Sequence, residues 1–490
     1  MTMLPDWLGR RARTHAGRIA LQSTGTTLTF AELDAAVTRA ARRLAAAGIE
    51  AGMRVALLAR NGAAFAIAAH GIGRCGAVLV PLNVRLTPSE LALQLADAAP
   101  RLVLYDAACR ALAQAVREQL PQAGFQELGP LGPAGTERAV LLRTSIDPGE
   151  AHSVIYTSGT TGQAKGALLT WGNFWWSAVG SALTLALQDG DRWLAVLPLF
   201  HVGGLSILMR GAIAGITTVV HERFDPERVN HAIDGGVTHV SLVATMLAQM
   251  LEVRGDRPYP PSLRCALLGG GPVSPALLER AVAAHVPVAL SYGLTESTSQ
   301  AATLPPERAL EKLGSCGFPL PVTELRIDID GSEAPPGAVG EIQLRGPTIV
   351  RAYINRPDET AQAWRDGWFH TGDLGRIDSD GYLYVLDRRD DLIVSGGENV
   401  YPAEVEGALA RHAAVAEAAV IGMDDERWGR VPLAVIRLRF GATVSAEALR
   451  AHCATQLAAY KVPAAFRFID EPLPRNAAGK LLRRQLGRDD

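Results

Sequence analysis

The segment Thr157-Ser158-Gly159-Thr160-Thr161-Gly162-Gln163-Ala164-Lys165-Gly166 gathers glycines, hydroxyls and a lysine directly after a short apolar run. Glycine lets backbone N–H groups approach anionic oxygens, hydroxyls donate hydrogen bonds and lysine adds charge, so the chemistry that fits is a cradle for a polyphosphate. It is not a Walker loop, because Gly166 stands where GxxxxGK[ST] needs a hydroxyl to hold magnesium. A second glycine cluster, Gly269-Gly270-Gly271-Pro272, closes the apolar run Cys265–Leu268 without completing the GxGxxG pattern of a dinucleotide fold. Lysine itself is scarce: of 48 basic residues only Lys165, Lys312, Lys461 and Lys480 are not arginine. Where arginine supplies the ordinary surface charge, a retained lysine is a candidate for work that needs a compact, mobile ammonium.

Composition bounds what surrounds these residues. A 490-residue chain that is 48% hydrophobic can fill several cores, and a formal charge of −2 provides no general attraction for nucleic acid or an anionic membrane. A polyanionic ligand must therefore be held by local groups, and nucleic acid is not an expected partner. Met1 to Arg13 lacks the continuous apolar core of a signal peptide. The most apolar stretch, Leu194 to Val220, is broken by Pro198, His201, Arg210 and several glycines, so no membrane span is expected. Five cysteines, Cys75, Cys109, Cys265, Cys316 and Cys453, are widely spaced without a CxxC pair, which fits small core residues in a cytoplasmic protein. Oligomeric state is left open, a homo-oligomer included.

The elements that must position the glycine loops read as α/β. Thr29 to Glu32 forms a capping-box pattern ahead of a helix with the apolar face Leu33, Val37, Ala40 and Leu44, ended by Gly48. A strand at Val55–Leu58, a helix over Asn61–Arg74, a strand at Ala77–Pro81 and a helix from Thr87 follow, an alternation that predicts crossover connections and mainly parallel sheets. Between Val339 and Leu386 the pattern shifts to short strands and tight turns, including Asp380-Gly381, which predicts a β-rich subdomain over 339–386. From Asp391 onward, strands near Leu392–Val394, Val415–Ile421 and Leu433–Leu438 and helices near Ala403–Arg411 and from Ser445 predict a separate α+β domain. The expected division is thus 1–386, a junction at 387–390, and 391–490.

The phosphate-type loop resembles that of the acyl-adenylate-forming superfamily, which includes acyl-CoA synthetases, and further blocks agree with it in order over nearly the whole chain. The resemblance implies a large N-terminal adenylating domain of stacked αβ sheets and a small mobile C-terminal domain. It implies ATP, Mg2+ and coenzyme A as co-reactants and a small carboxylic acid as substrate. Thr157, Ser158, Gly159, Thr160, Thr161, Gly162 and Lys165 would hold phosphates, with Thr161 also counted as catalytic. Gly270, Gly271 and Pro272 would border adenine; Ser291-Tyr292-Gly293-Leu294-Thr295-Glu296 would place Tyr292 against it, with Gly293 and Thr295 alongside and Glu296 on magnesium, which favours carboxylate and phosphate oxygens. Asp373, in Trp368-Phe369-His370-Thr371-Gly372-Asp373, would accept the ribose hydroxyls, with Arg388 nearby and Asp390 as the hinge. Gly396, Gly397 and Tyr401 would line the pantetheine tunnel. Lys480, after a flexible glycine, is the candidate catalytic cation: carboxylate attack on the α-phosphate brings two anions together, and a placed ammonium offsets that charge.

Leu197-Pro198-Leu199-Phe200-His201 resembles the acyl-pocket block, and Pro198–Val220, together with Gly269–Pro272 followed by Tyr292–Glu296 and Ser299-Gln300, resembles the o-succinylbenzoate–CoA ligase branch of menaquinone biosynthesis. An aromatic acid with two carboxylates needs one free to react and one anchored. Arg210 with Ser299 or Gln300 is the expected anchor, and His201 the expected contact to the benzoyl portion. A medium-chain fatty-acid or aryl-acid CoA ligase, and an adenylating enzyme that loads a carrier protein, remain as alternatives.

Overall fold

A computed structural model describes residues 2–129, 142–158, 164–271, 273–387, 392–474 and 483–486. The capping boxes start the helices as the sequence requires. Thr29 accepts from the Glu32 amide and Glu32 answers the Thr29 amide at the head of Phe30–Ala46, and Thr87 and Glu90 repeat the arrangement at the head of Pro88–Ala98. Leu33, Val37, Ala40 and Leu44 are all buried.

Two α/β sheets carry the N-terminal part. One has six strands in the order Ala164–Thr170, Ala151–Ser158, Val78–Pro81, Arg54–Leu58, Leu102–Tyr105 and Gly124–Glu127, parallel except for the hairpin of the first two. The other has nine strands and is parallel from Val288–Tyr292 through Cys265–Leu268, His239–Leu242, Arg192–Ala195 and Thr217–Val220 to Ile19–Ser23. One apolar cluster joins them, with Leu57 and Leu79 from the first sheet, Trp193 and Ala289 from the second, and Phe65, Phe174 and Leu205 from the helices between. The helix Val202–Ala214 accounts for the most apolar stretch; among the described residues no helix is long and apolar enough to cross a membrane.

A third, antiparallel sheet begins at Glu324–Ile329 rather than near Val339, and runs through Gly340–Arg345, Trp368–Ile377 and Leu383–Asp387. Its first strand mixes charged and apolar residues because only part of it is covered, which hid it from a hydropathy reading. The C-terminal domain packs Pro402–Ala410 and Ala446–Ala454 on a five-stranded sheet that includes Ile393–Ser395, Val415–Asp425 and Gly429–Leu438. Cys109, Cys265 and Cys453 are buried, and burial pushes the thiols of Cys109 and Cys265 up to about 12.

Candidate active site

A cavity of about 1470 Å3 opens where the parallel strands of the nine-stranded sheet end. Its wall includes Leu197 beyond Arg192–Ala195, Val243 beyond His239–Leu242, Gly269 and Gly270 beyond Cys265–Leu268, and Gly293 beyond Val288–Tyr292. Ligand sites form at the carboxyl ends of strands in open α/β sheets because the connecting loops converge there. Tyr156, Thr157 and Lys165 from the hairpin of the six-stranded sheet and Asp373 from the antiparallel sheet close two sides; Gly397, Glu398 and Tyr401 of the C-terminal domain close another.

At the phosphate end, Thr157 stands opposite Lys165 in the hairpin register, so hydroxyl and ammonium leave the same pair of strands. The Lys165 ammonium lies 5.6 Å from the centre of the Tyr353 ring, and Tyr353 donates a 2.6 Å hydrogen bond to Glu296 Oε1. Glu296 lines the cavity and is 9% exposed. A single carboxylate beside a phosphate cradle suits magnesium, which completes its octahedron with phosphate oxygens and water. The side chain of Ser158 and residues Gly159, Thr160, Thr161 and Gly162 lie outside what the structure describes.

The nucleotide end differs from expectation at Tyr292. Ser291 and Gly293 line the cavity, and because successive strand side chains face opposite ways, Tyr292 turns into the core behind the wall, where its hydroxyl donates to Asp373 Oδ2 at 2.6 Å. Asp373 itself lines the cavity, so Tyr292 orients it. Gly293 is required by a close approach: a Cβ there would stand 1.6 Å from the Ser299 carbonyl oxygen. Thr295 and Gly270 line the wall, whereas Gly271 does not; Pro272 lies outside the described residues.

The segment ends in strained backbone. Thr298 and Ser299 have φ of 54° and 90°, unusual for residues with side chains, and Thr298 is pinned by bonds to Thr348 and from Ser177, both at 2.7 Å. This strain presents Ser299 and Gln300 to the cavity. Arg210, expected to touch the acid directly, instead lies 2% exposed behind that wall. Its guanidinium sits 4.3 Å from the Trp193 ring centre and donates to Gln300 Oε1 at 3.3 Å, while its Nε finds no hydrogen-bond partner. No carboxylate among the described residues pairs with it, and burial pulls it down to about 10. Gln300 is thus the group through which this charge is felt in the cavity.

His201 stands at the N-terminal boundary of the helix Val202–Ala214 and lines the cavity, and its Nε2 lies 2.9 Å from Glu398 Oε2 of the C-terminal domain. Arg85 donates to Glu398 Oε1 at 2.8 Å. Burial alone would raise the Glu398 carboxyl, but His201, Arg85 and Lys461 together hold it below its ordinary value. Sequence reasoning passed over Glu398 and Arg85; an acid inside the glycine loop Ser395-Gly396-Gly397-Glu398 was the one available signal. Gly396 does not line the cavity but, at φ 57°, packs where a Cβ would meet the Trp428 ring at 2.6 Å. Arg388, Asp390 and Lys480 lie outside the described residues. Lys312, which no motif explained, binds Asp378 and Asp380 at 3.0 and 2.6 Å and lies 4.5 Å from the Tyr382 ring centre, tying a loop to the antiparallel sheet.

Comparison with known proteins gives the same reading. The AMP-binding enzyme profile matches residues 8–354, and the AMP-binding enzyme C-terminal domain profile matches residues 404–480. The chain is 49% identical over 489 residues to the 2-succinylbenzoate–CoA ligase of Geobacillus kaustophilus, covering 100% of this chain and 98% of that one. A double mutant of o-succinylbenzoate CoA synthetase from Bacillus subtilis, bound to its product analogue, matches with a TM-score of 0.94 at 43% identity over 99% of each chain. The enzyme from the same organism in complex with its acyl-adenylate intermediate matches at 0.77 and 43% identity, over 100% of this chain and 99% of that one. The chain belongs to the AMP-binding enzyme family and, within it, to the 2-succinylbenzoate–CoA ligases.

Proposed function

We propose that this chain ligates o-succinylbenzoate to coenzyme A through an acyl-adenylate, releasing AMP and pyrophosphate, a step of menaquinone biosynthesis. The observation that carries the reading is one cavity whose wall holds both the phosphate-side groups, Thr157, Lys165 and Glu296, and the acid-side groups, Ser299, Gln300 and His201. In the first half-reaction one oxygen of the succinyl carboxylate attacks the α-phosphorus of ATP, and pyrophosphate leaves in line. Lys165 and the hydroxyls of its hairpin hold the phosphates, Glu296 suits the magnesium ion, and Asp373 accepts from the ribose hydroxyls. Lys480 is assigned to the incoming carboxylate and the developing phosphate charge. Buried positive charge at Arg210, relayed by Gln300, favours the anionic second carboxylate over a neutral tail.

In the second half-reaction the CoA thiolate attacks the acyl carbon and AMP departs. The C-terminal domain as it stands here suits this step. Two complexes of the Bacillus subtilis enzyme, each 43% identical to this chain, give TM-scores of 0.94 with the product analogue and 0.77 with the acyl-adenylate, and the greater likeness to the former supports this reading of the arrangement. Rotation about Asp390 would exchange Lys480 for the Gly397–Tyr401 loop, letting one cavity run both steps. Boundaries of 1–386, 387–390 and 391–490 are part of this proposal.

Pyrophosphate release tests the reading across o-succinylbenzoate, benzoate and a medium-chain fatty acid, each with and without CoA. o-Succinylbenzoate should give a stoichiometric burst without CoA and continuous turnover with it. Turnover with the fatty acid or benzoate alone would overturn the substrate assignment.

A further inference from the structure

One of the scarce lysines, Lys461, is left without a task by the chemistry above. It ends the short 3-10 helix Ala459–Lys461 and is 4% exposed, an unusual place for an ammonium. Its Nζ lies 2.6 Å from Glu90 Oε1 and 2.7 Å from Glu404 Oε1. Glu404 belongs to the C-terminal domain's own helix Pro402–Ala410, whereas Glu90 lies 371 positions away, on Pro88–Ala98 of the large domain. We propose that Lys461 is a positioning residue for the thioester step, a latch that locks the C-terminal domain onto Glu90 in the orientation that presents the Gly397–Tyr401 loop to the cavity.

The acceptor is preorganised. Glu90 Oε2 already takes hydrogen bonds from the Thr87 amide and hydroxyl at 2.8 Å in the capping box, which fixes the carboxylate and turns Oε1 outward to the arriving lysine. The same helix is held at its far end to the phosphate hairpin, where Tyr156 donates to Asp97 at 2.8 Å, so the latch closes on a rigid element. Burial alone would lower the Lys461 ammonium, and the two carboxylates reverse this and hold it above its ordinary value. One ammonium serves two carboxylates, Glu404 Oε2 is buried without a hydrogen-bond partner, and burial raises the Glu404 carboxyl. Glu90 adds to that rise in the Glu404 carboxyl, so the second carboxylate is tolerated here only through the ammonium that both share, and the contact ties the docked pose to Lys461.

The inference rests on the ligase reading, and the experiment separates the two. Pyrophosphate release from ATP and o-succinylbenzoate reports adenylation, and single-turnover thioester formation from supplied o-succinylbenzoyl-AMP and CoA reports the docked step. Lys461→Met and Glu90→Gln should each slow thioester formation by about 30-fold or more, the scale of a buried charge pair losing one partner, with adenylation within about 3-fold of the parent. Glutamine at position 90 keeps the capping box, so helix stability is not the cause. The double variant should be no slower than Lys461→Met alone, because both changes open one contact. Equal loss in both half-reactions, or a silent Glu90→Gln, would overturn the latch, since a lysine needed only for folding its own domain would impair adenylation as well. A parent chain that forms no adenylate would overturn the ligase reading itself.

Discussion

His201 Nε2 and Glu398 Oε2 meet at 2.9 Å across 197 sequence positions, one at the start of a helix of the large domain and the other inside the glycine loop of the C-terminal domain. Glu398 is 3% exposed and Arg85 binds its second oxygen, so the C-terminal domain brings its own buried anion to a positive seat on the large domain. Removing Glu398 leaves His201 and Arg85 side chains that are 38% and 51% exposed, so what is lost is the charged hydrogen bonding across the two domains, about 1.5–3 kcal/mol. Glu398→Ala should therefore weaken the docked pose and slow thioester formation from supplied acyl-AMP, with pyrophosphate release retained. Unchanged thioester kinetics would refute the role.

Lys480 and Asp390 form a mirror-image pair of tests for the two-pose account. Lys480→Ala should lose about two to three orders of magnitude in adenylate formation, the scale of a lost transition-state donor, while consumption of supplied acyl-AMP survives. Asp390→Pro, which restricts backbone rotation, should spare adenylation and impair thioester formation. Rapid-quench assays of each half-reaction decide both, and parallel losses would contradict the exchange of poses.

At Arg210, stability and selectivity should move apart. The guanidinium is buried against Trp193 with an unpartnered Nε and, among the described residues, only Gln300 as a hydrogen-bond partner, so Arg210→Leu replaces a buried charge that no carboxylate pairs by an apolar side chain. The melting temperature should hold or rise. The kcat/KM preference for o-succinylbenzoate over benzoate should fall roughly 10- to 100-fold, the worth of a charged hydrogen bond felt through one intermediary. A destabilised variant with intact preference would make Arg210 structural instead.

Much of this was legible in the linear order of motifs and in local patterns. Thr29 with Glu32 and Thr87 with Glu90 announced helix starts because capping is a contact between near neighbours. Lys165, Glu296 and Asp373 reach the cavity from segments whose residue types fit their chemistry. What sequence could not give depends on facing and distance. Tyr292 was misplaced because the strand that carries it turns only every second side chain to the cavity. Arg210 reads as a ligand contact in one dimension, but its helix is buried on that side and Gln300 stands in between. Glu398 and Lys461 acquire meaning only when the two domains dock, which no local window records.

Acid should weaken the fold through His152, which is 1% exposed and caged by Trp171 and Phe174 with ring centres 4.5 and 4.7 Å away. Burial lowers it from 6.5 to about 3. Below pH 6.5 the unfolded chain takes up a proton that the folded chain refuses, so this stability is present above 6.5 and is lost as pH falls, by about 2 kcal/mol at pH 5. Denaturant melts between pH 7 and 5 should show the slope, and His152→Gln should reduce it by that amount, the remainder belonging to His70 and His239, which burial lowers to about 4. A slope unaltered by that change would assign it elsewhere.

The most direct test of the central claim follows one oxygen atom. With both oxygens of the succinyl carboxylate labelled as oxygen-18, attack on the α-phosphorus leaves one label bridging acyl carbon and phosphorus, and thiol attack at the carbon then expels it with AMP. Mass spectrometry of the nucleotide after turnover with CoA should find one heavy oxygen per AMP. Unlabelled AMP, or label in pyrophosphate or orthophosphate, would contradict the acyl-adenylate route.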